Sequence, residues 1–421
     1  MSRFLFIILL IVSCQLSFVN FSFAADKPVK YKTLLSEARA AIKNGKNQAN
    51  AEKNLLAVVN REDMTRERKA EIYFLAEELQ RSMNSAENMK LYLKQSYDTL
   101  KFFSTILQMH EYLLLCDSVE MIPDELGVTK FRHRHKSREI LLNHRSNLLN
   151  GGKFLLRRGK YAESFPYFNV YLRSAQSQIF GPTDAFVRND SLLPRVAYWA
   201  TISAYNSNEA RKALTYIDQA IKGAEPELRT SLQEYKVRCF EALKDNENWV
   251  KNLEEGVQLY PAHDYFFLHL IDYYAHEKMY DRGISLCENM LKRVGDRSIY
   301  WLGLSQMNLE KQDYDRTIEM SNEAIRCDST MDEAYYNKGM AFLTKAAIFA
   351  EIACNDIRNP KCKSDRAKLM LLYQSAKEPM ERVRQLIPND SKKWASPLYR
   401  IYLNLNMGRE FAEMEKILSA Q

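Results

Sequence analysis

The sequence DEAYYNKGMAF fills residues 332–342, and KQDYDRTI fills residues 311–318 just before it. Both recur elsewhere in degenerate form. Counted from residue 298, positions 4, 7, 17 and 27 hold Trp301, Leu304, Tyr314 and Ala324. Starts at residues 230, 264, 298 and 332 keep the same 34-residue spacing. A fixed period of this length predicts a stack of two-helix units, because one hairpin alone cannot bury its apolar face.

These segments resemble the tetratricopeptide repeat family. That pattern places small residues at positions 8, 20 and 27, where helices approach closely, and large ones at 4, 11, 17 and 24. A further copy begins near Arg145 and contains Gly151-Gly152 and Phe168. The resemblance implies an all-α solenoid of tetratricopeptide-type helical hairpins, wound as a right-handed superhelix.

The resemblance defines the expected domain organisation. Residues 25–144 are helical by periodicity but match the pattern poorly, so we interpret them as degenerate helical repeats. Residues 145–421 form the tetratricopeptide repeat array. The segment from Ile179 to Pro194 contains Gly-Pro and Asn-Asp and is a candidate linker between two sub-arrays.

One repeat carries an insertion at about residues 345–369. Phe342 fits position 11 and Tyr373 fits position 17, yet they stand 31 residues apart instead of 6. This spacing predicts an elongated hairpin whose second helix is capped by Ser364. The insertion is either a binding edge or a neutral extension. Cys354 and Cys362 bracket its loop. The two residues form either a disulfide or two free thiols.

Composition narrows the fold and the partners. Only 13 glycines and 11 prolines occur in 421 residues, too few for the turns of an all-β protein. A hydrophobic fraction of 46% argues against disorder. The net charge of +7 is small for this length and does not indicate nucleic acid.

The N-terminus has the features of an export signal at residues 1–24. Arg3 precedes an apolar run from Phe4 to Val12, and Ser22-Phe23-Ala24 provides a cleavage site. We therefore expect a periplasmic protein. A second interpretation remains open, because Ile11-Val12-Ser13-Cys14 resembles a lipobox. Lipidation of Cys14 would give an outer-membrane lipoprotein, which associates with the membrane through its lipid anchor.

The sequence offers no pattern for catalysis, a metal or another cofactor. His133 and His135 would point about 200° apart on a helix, so they cannot share an ion. The adjacent carboxylates Glu77-Glu78 are interpreted as solvated helix surface. A basic stripe could meet phosphate groups or be a solvated helix face; it comprises Lys130, Arg134, Arg138 and Arg145. We predict that the protein is not an enzyme.

The resemblance implies an exported scaffold whose first helices line a groove for a protein or peptide segment. Repeat positions that face such a groove hold Lys153, Arg157, Tyr265, Asp272, His276, Gln306, Tyr336 and Met340. Two alternatives remain: a lipid-anchored component of envelope assembly or secretion, and a helical glycan-binding protein of outer-membrane uptake. The sequence does not fix the partner or the oligomeric state.

Overall fold

The computed structural model describes residues 30–354 and 360–420, and every regular element in these ranges is a helix. The predicted signal segment 1–24 and Cys14 lie outside the described residues. Among the helices described, none combines the length and apolarity needed to cross a bilayer.

The chain divides into two compact units after Asp190. The first unit contains three hairpins and two short helical segments: α1 (Tyr31–Asn44), α2 (Gln48–Val58), α3 (Arg66–Tyr92), α4 (Thr99–Glu120), α5 (Arg134–Leu156), α6 (Tyr161–Gln176), a 3₁₀ turn (Pro182–Asp184) and α7 (Ala185–Arg188). The second unit contains six hairpins: α8 (Leu193–Asn206), α9 (Ala210–Gly223), α10 (Pro226–Ala242), α11 (Asn246–Leu259), α12 (Asp264–His276), α13 (Tyr280–Arg293), α14 (Ser298–Glu310), α15 (Tyr314–Cys327), α16 (Asp332–Ile352), α17 (Pro360–Leu386), α18 (Ser391–Asn404) and α19 (Gly408–Ser419).

The expected limit between residues 144 and 145 falls inside α5. The repeat pattern begins near Arg145, but the helix that carries it begins at Arg134. The division instead falls within the segment from Ile179 to Pro194, which the sequence marked as a candidate linker.

The 34-residue period is present in the helices of the second unit. α12, α14 and α16 begin at Asp264, Ser298 and Asp332, the predicted starts. The turns repeat as well. Lys278 and Gln312 each stand two residues before the second helix of a hairpin, with φ of 57° and 65°. A left-handed residue at this place closes the preceding helix, and the next amide N–H donates to the carbonyl five residues earlier in the cap.

Small residues occupy the predicted close contacts between helices. Gly256, at position 27, faces the ring of the buried Phe266, and a Cβ there would stand 2.3 Å from its Cδ1 atom. Gly339, at position 8, faces Met380, and a Cβ there would stand 2.8 Å from its Cγ and Cε atoms. The packing explanation of the repeat pattern is confirmed at these positions.

The inserted residues lie in one lengthened hairpin. α16 has 21 residues and α17 has 27, against 13 to 17 in the other helices of this unit up to α15. α17 begins at Pro360, so Ser364 lies inside it and is not its cap. A disulfide joins Cys354 to Cys362, with the two sulfur atoms 2.08 Å apart.

Ion pairs hold the basic stripe of the first unit in place. Arg134 Nε donates to Asp117 at 2.5 Å, and Arg138 forms a bidentate pair with the buried Asp184. Arg134 and Arg138 therefore anchor α5 to the elements packed against it, whereas Lys130 lies before the helix and is exposed. Glu77 also departs from expectation: it is buried, and this burial raises its pKa to about 7.

Candidate functional site

A run of aromatic side chains crosses the first helices of three successive hairpins in the second unit. It passes from α8 to α10 and α12, with one residue from α11. We call it the aromatic face; its members are Tyr205, Tyr235, Arg238, Trp249, Tyr265, His269 and Tyr273. All are half-buried except Arg238, which is exposed.

The rings of this face form two groups, and the rings within each group contact one another. Tyr205 and Tyr235 lie 4.5 Å apart between ring centroids, and Tyr265 and His269 lie 4.3 Å apart. Trp249 meets Tyr273 at 5.8 Å. The first helix of each hairpin supplies these rings because residues three and four apart share one side of a helix.

Arg238 links the two halves of the aromatic face. Its guanidinium carbon lies 5.2 Å from the ring centroid of Tyr265, a cation–π distance. Glu234, one turn earlier on α10, forms an ion pair with it. Arg238 is exposed, so a carbonyl or carboxylate of a bound segment can reach its guanidinium.

Burial raises the pKa of two of the predicted groove residues in this region. It raises the pKa of the Tyr265 phenol to about 12, so the hydroxyl remains a hydrogen-bond donor at neutral pH. Burial also raises the pKa of Asp272, while the nearby His269 opposes that effect. Tyr265 and Asp272 therefore present one donor and one acceptor on the same helix.

The other predicted groove residues lie apart from the aromatic face. Tyr336 and Met340 are half-buried on α16, and the Lys393 ammonium lies 5.5 Å from the Tyr336 ring centroid. Gln306 is half-buried on α14, and His276 is exposed at the end of α12 beside Glu277. Lys153 and Arg157 belong to the first unit, near the end of α5.

Sequence reasoning missed most of this face. Arg238 and Glu234 stand at positions 9 and 5 of the unit that starts at residue 230, which are groove positions of the repeat. Applying the pattern to that unit would have found them. Tyr235 and His269 both stand at position 6 of their units. Position 6 is neither a groove position nor a packing position of the pattern, so the pattern does not mark these residues.

A second cluster brings together Cys116, Glu120 and His133, whose donor atoms lie within 4.8 Å of one another. The sequence did not predict it, because His133 is the residue before α5 and not a member of that helix. Glu120 accepts from the backbone N–H of His133 at 3.1 Å and lies 2.7 Å from its Nδ1 atom. Arg66 and Arg132 line the adjoining cavity, and their charges disfavour a cation. We interpret the cluster as a cap of α5.

Several solved structures are similar to this chain in fold. A tetratricopeptide repeat protein of Bacteroides fragilis is 18% identical, covers 65% of this chain and 98% of its own, and superposes with a TM-score of 0.31. The C-terminal part of a tetratricopeptide repeat-containing protein of Cytophaga hutchinsonii is 11% identical, with coverages of 63% and 98% and a TM-score of 0.35. Yeast Tom70 is 13% identical, with coverages of 89% and 84% and a TM-score of 0.30.

No protein-family model matches the chain. Because the TM-scores are low, the assignment stands on the chain's own geometry. The 34-residue spacing of helix starts, the repeated left-handed turns and the close glycine contacts identify the fold of this chain as all-α, with tetratricopeptide-type helical hairpins.

Proposed function

We propose that the protein is an exported, non-enzymatic scaffold that binds an extended segment of a partner protein along the aromatic face. The observation that carries this proposal is the pair of half-buried ring groups on α8, α10 and α12, which Arg238 joins through Tyr205 and Tyr265. Aromatic residues and arginine are the side chains most often found at the energetic centre of protein interfaces.

The chemistry of the face suits a peptide. Tyrosine hydroxyls and the Arg238 guanidinium donate hydrogen bonds, and backbone carbonyls of an extended segment accept them. The rings of Tyr265 and His269 meet at 64°, and those of Trp249 and Tyr273 at 79°. These edge-to-face pairs present ring edges and hydroxyls in place of one flat platform. A peptide therefore fits better than a glycan.

Export remains part of the proposal and rests on the N-terminal sequence. Cleavage before Ala25 would give a periplasmic protein, and lipidation of Cys14 would give an anchored one. The mass of the mature N-terminus distinguishes the two. A diacylated cysteine would favour the lipid-anchored envelope component, whereas a free Ala25 would favour the periplasmic scaffold.

The test is a crosslinked pull-down of the tagged mature protein from its own envelope fraction. Two variants, Tyr265→Ala and Arg238→Ala, alter the aromatic face. The matched control is Arg229→Ala, on the same helix α10, where Arg229 is exposed and its Nε bonds to the Ala224 carbonyl. A chain that lacks residues 345–369 is compared in parallel.

We expect one dominant partner that is captured by the control and lost from both face variants. Circular dichroism should show unchanged helix content in all of them. A partner captured equally by Tyr265→Ala and Arg238→Ala would refute the role of the aromatic face. Loss only on deletion of residues 345–369 would transfer recognition to the elongated hairpin. Binding on a glycan array, sensitive to the same variants, would instead support the uptake alternative.

A further inference from the structure

The hairpin of α3 and α4 ends in an apolar surface that no described part of the first unit covers. The last turn of α3 carries Met89, Leu91, Tyr92 and Leu93, and their exposed fractions are 58%, 42%, 82% and 54%. Leu100, in the first turn of α4, is also exposed. We call these five residues the apolar tip. Large side chains with this exposure on consecutive residues mark an interaction site.

The apolar tip projects beyond the hairpin of α1 and α2 in the same unit. Gln48, the first residue of α2, donates to the Ser82 hydroxyl at 2.7 Å, which places the turn between α1 and α2 beside Ser82. Ten further residues of α3 follow before the helix ends at Tyr92, a length of about 15 Å. On the other side, the ring of Phe154 near the end of α5 contacts the ring of Phe103, four residues after the start of α4. The end of α5 therefore lies close to the start of α4.

The composition of this helix end favours a lipid interface over a protein groove. At about 100° per residue, residues 89 and 91–93 point over an arc of about 200° around the helix axis, and Lys90 lies in the remaining arc, where its ammonium can meet a headgroup. Tyr92, the most exposed of them, has the amphipathic ring that is enriched at the membrane interface.

The turns around the apolar tip are basic. Taken together, residues 87–101 and 157–163 contain six basic and three acidic side chains. Of the acidic ones, Glu87 is buried between Lys90 and Lys101, and Glu163 pairs with Lys160. The third, Asp98, caps the first turn of α4. The edge therefore has an excess of positive charge, which complements anionic headgroups.

We propose that this edge of the first unit docks on an anionic lipid bilayer, with the apolar tip inserted among the headgroups and the basic turns around it. This proposal is independent of the aromatic face and of the N-terminal signal. It assigns the membrane contact to folded residues and not to a lipid on Cys14.

The experiment is vesicle co-sedimentation of the chain that begins at Ala25. This chain keeps every described residue and omits the apolar run Phe4 to Val12, which would itself partition into lipid. The tip variant is Leu91→Ser/Tyr92→Ser/Leu93→Ser. The matched control is Ile122→Ser/Leu126→Ser, whose residues are also exposed but follow the far end of α4.

We expect binding to phosphatidylcholine vesicles that contain phosphatidylglycerol and little binding to pure phosphatidylcholine. The tip variant should bind at least about tenfold more weakly, because three apolar side chains no longer leave water. The control should bind as the unchanged chain does. Raising the salt concentration should weaken binding, since it screens the basic turns.

Two outcomes would overturn the proposal. One is the absence of binding to anionic vesicles by the unchanged chain. The other is equal binding by the unchanged chain and the tip variant. If vesicles are not bound but a photo-crosslinker at Leu93 captures a protein, the apolar tip is a protein contact and the lipid assignment is wrong. Circular dichroism on each variant checks that the helices are intact.

Discussion

The substitution Gly256→Ala tests the packing on which the repeat depends. Gly256 lies in α11 and faces Phe266 of α12. An added Cβ would stand 2.3 Å from Cδ1 and 2.5 Å from Cγ of the Phe266 ring. Phe266 is fully buried, with Tyr260, His263 and Tyr265 around it, so its ring cannot retreat without displacing neighbours.

The expected magnitude follows from two opposing terms. Overpacking a well-filled core costs about 1–3 kcal/mol. Replacing glycine by alanine inside a helix gains roughly 1 kcal/mol, because alanine loses less backbone entropy. The added Cβ would stand far closer to the Phe266 ring than van der Waals distance. We therefore place the cost of overpacking at the upper end of its range. We therefore expect the free energy of unfolding to fall by about 1–2 kcal/mol.

The assay is urea denaturation, together with hydrogen exchange of the α11 and α12 amides by mass spectrometry. Hydrogen exchange localises the loss, because a repeat array need not unfold in one step. The matched control is Gly408→Ala in the first turn of α19, where an added Cβ meets no atom within 4 Å. The control should be neutral or slightly stabilised. A Gly256→Ala protein as stable as its control would refute the packing argument.

Four further predictions follow from single residues. Burial lowers the pKa of His110 to about 4, so as the pH falls below 6.5 the unfolded chain binds this proton before the folded chain does. This difference costs stability between pH 6.5 and pH 4, and we expect His110→Leu to remove up to about 3 kcal/mol of that loss. Identical acid-denaturation profiles of the two proteins would contradict this. Thiol titration of the denatured, unreduced chain from Ala25 should find four of its six cysteines free, and six would exclude the Cys354–Cys362 disulfide. Gln312→Gly should raise the free energy of unfolding by roughly 0.5 kcal/mol, because glycine adopts this left-handed turn without strain, and a loss in urea denaturation would count against the turn. Tyr336→Ala should weaken partner capture without unfolding the chain, and unchanged capture would remove α16 from the binding surface.

The sequence predicted the architecture where its pattern was dense. Three first helices begin at the predicted residues because aromatic and small side chains recur there with a strict period. α10 begins at Pro226, four residues before the counted start, because Glu225-Pro226 is a helix start that the repeat pattern does not contain. A pattern aligned on interior packing positions does not fix the ends of helices.

The first unit shows where sequence reasoning fell short. Glu77 was expected on the surface, but it is buried and its Oε1 atom accepts from Arg81 Nε at 2.9 Å. Arg134 and Arg138 were expected to face solvent or phosphate, but they pair with Asp117 and Asp184. Those partners lie 17 and 46 residues away, and a periodicity within one helix carries no information about such distant partners.

The proposed binding surface was predictable only in part. Tyr265 was predicted as a groove residue from the repeat positions, and the structure adds Arg238, which brings Tyr265 into contact with α10. Trp249 lies at the start of α11, the second helix of its hairpin, and contacts Tyr273. The groove positions of the repeat lie on first helices, so they do not include Trp249.

The most direct test of the central claim is photo-crosslinking at the aromatic face. Leu268 lies one turn after Tyr265 on α12 and is exposed, so a benzophenone side chain there would reach a bound segment. The control position is Leu259, which is also exposed but ends α11. We predict that position 268 captures one dominant protein from the envelope fraction and that position 259 does not. No capture at position 268, or equal capture at both positions, would contradict the scaffold account.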